Sequence, residues 1–317
     1  MHILIVSDKL SKNPTKDELD TALEVKQVGK ALKALGHEVS RLGFSLNLER
    51  VKMRLLIKNA DLIFNLVETL EGCRLLHLAP ALFEAMGLRY TGGNSHGMMS
   101  SSDKLFAKRL MHKEGLPTAP WVEESCPDSL SGFLGLPLII KPVSEEASVG
   151  ITDASVKTFA DEASLREALA GGSLFAETFI QGREFSVSIL TVDEEMMVFD
   201  PAEMLFIDYP SDKPTIVGYE AKWEEFSFEY IHTQRSFSFP PEDEPLLARL
   251  QALSCKAFLL FGGKGYARVD FRVDEGGAPF ILEVNLNPCI ARDSGFVAAA
   301  QRSGISYEQM IALIIKG

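Results

Sequence analysis

"GYARVDFRVDEGGAPFILEVNLNPC", residues 265–289, alternates polar and apolar side chains on both sides of a glycine pair. Glycine readily takes the positive φ angles that a tight hairpin turn needs, so Gly276 and Gly277 predict a two-residue turn. Successive side chains of a strand point to opposite faces. The stretch therefore predicts an antiparallel hairpin with one polar face and one apolar face.

The polar face of this hairpin collects four chemically useful side chains. Folding over the glycine pair places Asp270 opposite Glu283, and Arg268 opposite Asn285. The other face, which we expect in the core, carries Val269, Phe271, Val273, Phe280, Leu282 and Val284. Directly opposed residues have Cβ atoms ~4.5–5.5 Å apart, and two carboxylates at that distance repel unless a positive charge lies between them.

Two interpretations of the opposed carboxylates are open at this point. Asp, Glu and Asn oxygens are hard ligands of the kind that Mg²⁺ takes, usually beside nucleotide phosphates. The alternative is a solvated hairpin face that Arg268 holds together by salt bridges. A shift of the strand register by one residue would separate the group.

The composition argues against several classes of partner. The chain has 317 residues, which favours two or three subdomains around a shared site. Its 44 acidic and 32 basic residues give a formal net charge of -12, which repels nucleic-acid backbones and anionic membrane surfaces. The start "MHILIVSD" has no signal-peptide pattern, and no apolar run approaches the ~18 residues of a spanning helix. We therefore predict a cytoplasmic protein that binds neither nucleic acid nor membranes.

Cysteine and histidine spacing argues against a zinc site. The six histidines form no HExxH-like pair. The four cysteines show no CxxC spacing; they are Cys73, Cys126, Cys255 and Cys289. Scattered thiols of this kind are expected in a reducing compartment.

The first 95 residues predict a small α/β domain. "HILIVSD" suits a buried parallel strand, and Thr15 with Glu18 forms a capping-box pattern before a helix that stops near Gly36. Strands over "HEVSRLGF" and "ADLIFNLVE" and a helix over residues 73–86 follow. No GxGxxG motif follows the first strand, so a classical dinucleotide-binding site is not predicted.

The rest of the chain predicts a central segment and a C-terminal antiparallel segment. A helix ended by Gly115 precedes a strand, a loop and a strand, and residues 184–206 alternate as antiparallel strands do. A long helix is expected over about residues 243–261, and two helices close the chain. The predicted domains are residues 1–95, 96–183 and 184–317.

Three stretches upstream of the hairpin place charged residues where a nucleotide would fit. In "IIKPVSEEASVGI", Lys141 leaves an apolar strand and enters a loop that could bring backbone N–H groups to phosphates. In "FAETFIQGREFSV", Glu177 and Glu184 flank a hinge-like segment. In "SSSDKLFAKRL", Lys104 lies in a first helical turn, where the dipole disfavours a cation. An exposed connector and solvated lysines are the ordinary alternatives.

The order of these motifs resembles the ATP-grasp superfamily, and within it the D-alanine:D-alanine ligase-like proteins. The matching stretches run from about residue 61 to the C-terminus in family order: "FNLVE", "YTGGN", "SDKLFAKRLMHKEGLPT", "IIKPVSEEASVGI", "AETFIQGREFSVSIL", "YEAKW", "ARVDFRVD" and "LEVNLNP". The resemblance implies a mixed α/β and α+β ATP-grasp fold, with a Rossmann-like N-terminal α/β domain, a central flap domain and a C-terminal antiparallel-sheet domain. It also implies ATP and Mg²⁺, or Mn²⁺, as cofactors, small carboxylate and amine substrates such as amino acids, and a homodimer.

The resemblance further implies a role for each site residue. The residues expected to contact the nucleotide are Lys104, Lys141 and Lys222 at the phosphates, Ser148 in the flap, Glu177 and Ile180 at the adenine, and Glu184 at the ribose. The residues expected to hold the metal are Asp270, Glu283 and Asn285. The residues expected to act in catalysis are Arg268, Lys222 and Ser294, the last at the family's site for the second amino acid's carboxylate.

The implied reaction is ATP-dependent ligation of a carboxylate and an amine. ATP converts the carboxylate to an acyl phosphate and the amine displaces phosphate, while Mg²⁺, lysines and Arg268 stabilise the developing charge. The alternatives are a genuine D-alanine:D-alanine ligase of peptidoglycan synthesis and a nucleotide-binding module without catalysis.

The chain departs from the family pattern where the first amino acid would bind. The family's early glycine-rich stretch with serine and glutamate is absent from "VSDKLSKNPTKDELD". Glu146 and Ala147 precede the flap serine, and Trp223 replaces a tyrosine. Cys289 replaces the glycine after asparagine and proline, and Arg292 adds a cation that faces either an acidic substrate or water. We therefore expect retained nucleotide chemistry with an altered substrate.

Overall fold

The computed structural model describes residues 1–70, 72–125 and 127–317, and of residues 127–129 it describes only the backbone. Cys126 lies outside the described residues, and Cys73, Cys255 and Cys289 are free thiols. The described strands form three sheets. No helix in the described part of the chain is both long enough and apolar enough to cross a membrane.

A parallel sheet forms the N-terminal part of the molecule. Its strand order is β2-β1-β3, with β1 at His2–Ser7, β2 at Glu38–Gly43 and β3 at Leu62–Leu66. Every residue of β3 is buried, as expected for an apolar run in a parallel sheet that is covered on both faces. The accompanying helices are α1 Lys16–Ala34, α2 Leu48–Lys58, α3 Leu78–Ala85 and α4 Ser95–Ser102.

Two of these helices differ from the prediction. The helix expected over residues 73–86 is broken, because a 3-10 turn at Cys73–Leu75 precedes α3. Pro80 explains the break, since a proline lacks the N–H of a continuing helix and its ring clashes with the carbonyl four residues earlier. Helix α2 was not expected; Met53 and Ile57 on it are exposed, which weakens its apolar periodicity.

The central part is an antiparallel sheet of order β4-β7-β5-β6. Its elements are α5 Lys104–Lys113, β4 Trp121–Glu123, β5 Pro137–Pro142, β6 Val156–Thr158, α6 Glu162–Leu169 and β7 Leu174–Thr178. The register pairs Lys141 of β5 with Phe175 of β7. Lys141 and Glu177 therefore occupy diagonal positions on the same face of the sheet.

The largest sheet is antiparallel, with the order β11-β10-β8-β12-β13 and with β9 paired to β8. Its strands are β8 Gly182–Val192, β9 Glu195–Val198, β10 Ala202–Phe206, β11 Thr233–Ser236, β12 Tyr266–Asp274 and β13 Pro279–Asn285. Its helices are α7 Tyr219–Trp223, α8 Phe228–His232, α9 Glu244–Leu260, α10 Gly295–Arg302 and α11 Tyr307–Ile314. Helices α9, α10 and α11 match the prediction, whereas α7 and α8 lie where only loop was expected.

The hairpin of β12 and β13 has the predicted pairing but not the predicted turn. Asp270 faces Glu283 and Arg268 faces Asn285. The turn holds three residues rather than two, since Asp274 and Ala278 close it and Gly277 has a φ of 80°.

A β-bulge between the turn and the Asp270–Glu283 pair restores the register of the hairpin. Asp270 faces Glu283, but Phe271 faces Ile281, so Leu282 is the extra residue on β13. Ile281 is buried in the core, whereas Leu282 lines an open cleft and Phe280 is only partly buried opposite Arg272, so the predictions of Leu282 and Phe280 in the core were wrong. The bulge compensates for the longer turn, which is why the polar group still assembles.

Candidate active site

A cleft lies between the central sheet and the largest sheet. It is lined by nine of the predicted site residues: Lys104, Lys141, Ser148, Glu177, Ile180, Glu184, Lys222, Asp270 and Glu283. The structure thus brings together residues that lie far apart in the sequence.

Glu177 is the most strongly paired carboxylate of the cleft. It is 2% exposed, and its two oxygens accept from Lys108 at 2.6 Å and from Lys141 at 2.5 Å. Although burial opposes ionisation, the two lysines lower the pKa of Glu177 to about 2. Sequence reasoning missed Lys108, although its position one helical turn after Lys104 puts it on the same side of α5.

Cations hold the opposed carboxylates together. Arg268 donates to Asp270 at 2.8 Å and lies 3.9 Å from Glu283. Lys104 lies 3.2 Å from Glu283 and donates to the Glu145 carbonyl at 2.8 Å. Although burial opposes it, Lys104, together with Lys222 and Arg268, lowers the pKa of Glu283. Glu283 therefore remains anionic, whereas burial raises the pKa of Asp270 although Arg268 opposes the shift.

Asn285 lies beside Glu146 of the flap. The Asn285 amide nitrogen donates to Glu146 at 3.5 Å, and the Asn285 oxygen accepts from the Asn287 N–H at 3.1 Å. Burial raises the pKa of Glu146 to about 7, although Lys104 opposes the shift. A flap carboxylate therefore stands next to the predicted metal ligands.

The flap and the segment that carries Lys222 are fastened to each other. Ser148 donates to the Val217 carbonyl at 2.7 Å, and Trp223 donates to the Ala147 carbonyl at 3.0 Å. Ala147 and Ser148 have φ angles of 55° and 62°, a left-handed conformation that costs a non-glycine residue about 1–3 kcal/mol. The tryptophan that replaces the family tyrosine thus stabilises a strained flap.

Lys222 has no ion pair among the described residues. It lies in the cleft, and burial, followed by the charge of Arg268, lowers its pKa. Lys16, at the start of α1, donates to the Trp223 carbonyl at 2.9 Å and to Glu224 at 2.6 Å. The N-terminal part therefore contacts the segment that positions Lys222.

Glu184 and Ile180 are both held by Arg272, which sequence reasoning also missed. Arg272 is 4% exposed; it contacts Glu184 at 3.1 Å and donates to the Ile180 carbonyl at 3.0 Å. Arg272 follows Asp270 on β12 in the alternation of the hairpin, so the pattern that revealed Asp270 could have revealed it too. The Ile180 carbonyl is thereby occupied by a protein donor.

Arg268, Asn285 and Ser294 do not line the cleft itself. Ser294 is the N-cap of α10 and accepts from the Val297 N–H at 3.3 Å. Arg292 pairs with Glu308 at 2.5 Å and stacks over Tyr307, with 4.1 Å from its guanidinium carbon to the ring centre. Of the two orientations considered for Arg292, towards an acidic substrate or towards water, the structure has the second: Arg292 lies at the surface in a half-exposed pair with Glu308.

The donor set at the hairpin fits a divalent cation. Asp270 and Glu283 offer carboxylate oxygens and Asn285 offers an amide oxygen, which are the hard ligands that Mg²⁺ selects. The positive charge that Arg268 and Lys104 already supply to these carboxylates shows that the group accepts cations. Carboxylates at one end of the cleft and lysines along it suit a polyphosphate with its metal.

Comparisons with known proteins agree with this geometry. A family model described as "D-ala D-ala ligase C-terminus" matches residues 110–316. A D-alanine--D-alanine ligase of Psychrobacter sp. is 32% identical over 257 residues, which is 80% of this chain and 73% of the relative. The "Uncharacterized protein y4sG" of Sinorhizobium fredii is 29% identical over 294 residues, 89% of this chain and 83% of the relative.

A solved structure shows the same fold along almost the whole chain. The structure of the D-alanine--D-alanine ligase from Bacillus anthracis complexed with ATP matches with a TM-score of 0.72 and 21% identity. The match covers 99% of this chain and 96% of that chain. The predicted ATP-grasp fold is confirmed.

Proposed function

This chain belongs to the D-alanine–D-alanine ligase family and is an ATP-grasp ligase that forms a peptide bond, and on that premise we propose how its site works and what it joins. The proposed reaction joins a carboxylate to an amine through an acyl phosphate, with release of ADP and phosphate. The substrates are small molecules, each of them an amino acid or a related acid or amine.

The pairing of Asp270 with Glu283, flanked by Arg268 and Lys104, is the observation that carries this proposal. A carboxylate is a poor electrophile, so its activation requires phosphoryl transfer, in which catalysis is mainly positioning and charge stabilisation. Asp270, Glu283 and Asn285 would hold Mg²⁺, or Mn²⁺, which neutralises phosphate charge when it is bound. The same cluster would serve both steps of the reaction.

The side chains of the cleft divide the remaining work. Lys104, Lys141 and Lys222 would position the phosphates, and Lys222 forms no ion pair among the described residues that a phosphate would have to break. Ser148 and its neighbours would close the flap over them, excluding water. Glu177, Ile180 and Glu184 would border the adenine and ribose. Arg268 would stabilise the oxyanion that forms when the amine attacks, and Ser294 would receive a carboxylate at the start of α10.

The substrate side supports a ligase with changed specificity. The Trp223 side chain donates to the Ala147 carbonyl where the resemblance implies a tyrosine and a serine, and Cys289 stands where it implies a glycine. A genuine D-alanine–D-alanine ligase is the second candidate, favoured by the names of relatives such as the Psychrobacter protein. A module without catalysis is disfavoured, since the charged residues of the proposed site are retained together.

Turnover with candidate substrates tests the proposal. The full chain is incubated with Mg·ATP and pooled L- and D-amino acids, and ADP and phosphate are measured, with Asp270→Asn as the matched variant. We expect release that depends on the amino acids and that the substitution abolishes. Release driven by D-alanine alone would establish the second candidate, and ATP binding without turnover over a broad panel of acids and amines would refute both.

Three wider features belong to the same proposal. We place the domain boundaries at residues 1–95, 96–183 and 184–317. We place the protein in the cytoplasm, as its composition suggests. We propose a homodimer, which sedimentation of the purified chain would test.

A further inference from the structure

Arg272 lines the nucleotide cleft but has no part in the proposed reaction. It is 4% exposed and lies on β12 directly opposite Glu184 of β8 in the strand register. Its Nη1 contacts the Glu184 carboxylate at 3.1 Å. Residues that oppose each other across antiparallel strands share one face of the sheet, so both side chains reach the cleft. We call Arg272 and Glu184 the cross-strand pair.

Arg272 also holds the two backbone segments that border this end of the cleft, where the adenine and ribose are proposed to lie. Its Nε donates to the Ile180 carbonyl at 3.0 Å, in the segment between β7 and β8. Its Nη1 donates to the Thr215 carbonyl at 2.8 Å, in the loop between β10 and α7. The guanidinium carbon lies 5.3 Å from the centre of the Phe179 ring. One side chain therefore fixes three separate walls of the cleft.

Each member of the cross-strand pair keeps one polar atom without a protein partner. Glu184 accepts from Arg272 through Oε2, and among the described residues no group donates to its Oε1. The Arg272 Nη2 is buried and has no hydrogen-bond partner in the same part of the chain. Buried polar groups are nearly always paired in folded proteins. The hydrogen bonds of the cross-strand pair are therefore not completed by the protein alone.

The chemistry of the cross-strand pair suits a ligand that carries hydroxyl groups. An ionised carboxylate only accepts hydrogen bonds and a guanidinium only donates them, whereas a hydroxyl does both. Burial raises the pKa of Glu184, and Arg272 opposes that shift while the charge of Asp270 adds to it. Arg272 thus favours the ionised form of Glu184, which is the form that accepts from a hydroxyl.

We propose that Arg272 is a positioning residue for the nucleotide, which presents the Glu184 carboxylate to the ribose hydroxyls and so selects ribonucleotides over deoxyribonucleotides. This inference rests on the proposed function, which places the ribose at Glu184. Because Arg272 holds Oε2, the carboxylate is fixed in one orientation and offers Oε1 to the sugar. Selectivity for the sugar therefore depends on Arg272, although the contact with the sugar is made by Glu184.

A purely structural ion pair is the competing explanation. In that case Arg272 would hold the walls of the cleft equally for every nucleotide, and its replacement would weaken the binding of all nucleotides by the same factor. A positioning role has a different consequence. Replacement of Arg272 would remove the preference for the hydroxyl, because Glu184 would lose its fixed orientation. Nucleotides that differ in a single hydroxyl distinguish the two explanations.

Calorimetry on the full chain with Mg²⁺ measures this preference without requiring turnover. ADP is compared with 2′-deoxy-ADP and 3′-deoxy-ADP, each of which lacks one ribose hydroxyl. We expect the wild-type chain to bind ADP about tenfold more tightly than at least one of the two deoxynucleotides, as for one hydrogen bond to a charged group. Equal wild-type affinities for all three nucleotides would overturn the inference.

Arg272→Met and Arg272→Lys are the test variants, and Arg302→Met at the exposed end of α10 is the matched control. We expect Arg272→Met to bring ADP and the deoxynucleotide within about twofold of each other, a loss comparable to that hydrogen bond. The control should keep the full preference. An Arg272→Met variant that weakens all three nucleotides equally and keeps the preference would show a structural ion pair and overturn the inference.

Arg272→Lys keeps the test decisive if the methionine variant fails to fold. Lysine retains the buried charge but lacks the rigid fork that bridges Glu184 and the two backbone carbonyls, so we expect a reduced preference for ADP. A folded Arg272→Lys variant with the full preference would overturn the inference. Failure of the proposed function would appear separately, because the wild-type chain would then bind none of the three nucleotides, and both proposals would fall.

Discussion

Glu177 and Glu24 are equally buried carboxylates in opposite electrostatic situations. Glu177, 2% exposed, has a lysine on each oxygen, and its pKa is lowered to about 2. Glu24, 0% exposed, has one backbone N–H and a second carboxyl beside it, and its pKa is raised. Burial opposes the charge in both places, so the partner decides the state of the carboxyl. The nucleotide cleft carries its own counter-charges, whereas in the described part of the chain no cation forms an ion pair with Glu24.

The largest effect is expected on breaking the paired cluster. Glu177→Gln leaves Lys108 and Lys141 in a buried site without their counter-ion, which costs about 3–5 kcal/mol of unfolding free energy. Urea denaturation at pH 7 measures the loss. Glu308→Gln is the control, since it breaks an exposed pair and should have little effect. A loss below about 1 kcal/mol for Glu177→Gln would contradict the contrast between the two regions.

The two regions should also give the stability curve two different pH limbs. The folded-state pKa of Glu177 is lowered, so its contribution is present above its unfolded value near 4.5 and is lost as the pH falls toward 2. The folded-state pKa values of Glu68 and Asp8 are raised to about 7 and about 8. Their contribution is present below their unfolded values and is lost as the pH rises through 7 and 8.

Urea midpoints between pH 3 and pH 9 would measure both limbs. We expect Glu68→Gln to flatten the alkaline limb while the acid limb is unchanged. The titratable and charged groups that face Glu68 are Asp8, Asp20, Glu24, Cys289 and Arg268. An alkaline limb that is unchanged in the variant would show that Glu68 is not the group responsible.

A smaller effect, of opposite sign to that of Glu177→Gln, is expected at Glu24. Replacing a buried, repelling carboxyl by an amide removes the need to desolvate a charge, so Glu24→Gln should be neutral or stabilising by about 1 kcal/mol at pH 8. Thermal unfolding in the absence of amino acids measures it. A destabilisation as large as that of Glu177→Gln would mean that a cation already balances Glu24.

The smallest effect is expected where paired charges are exposed. Lys16 and Glu224 are about half exposed, so Lys16→Ala should change the unfolding free energy by about 0.5 kcal/mol or less. Lys16 also contacts the segment that carries Lys222. Because Lys16→Ala should loosen that segment, we expect a several-fold rise in KM for ATP with kcat little changed. Steady-state kinetics measure KM and kcat separately, and Lys12→Ala in the preceding loop is the control.

Much of the nucleotide side could be predicted from local patterns. Three residues stand out because each lies within a strand or helix that the sequence predicts: Lys104, Lys141 and Asp270. The fold places all three in one cleft. Lys108 and Arg272 were missed, because a charged residue on a helix or strand is usually solvated. Only packing shows that these two are buried against Glu177 and Glu184.

Alternation by itself determined which side chains of β12 share a face and that Glu283 and Asn285 join the polar face, because side-chain direction in a strand is a local property. The exact turn and the bulge at Leu282 were decided by tertiary packing, as Ile281 had to enter the core. The surroundings of Glu24 depended on tertiary structure altogether. Glu24 accepts from the N–H of Ile290, which lies 266 positions away. No local pattern shows that these residues meet or that Glu24 is buried without a cation beside it.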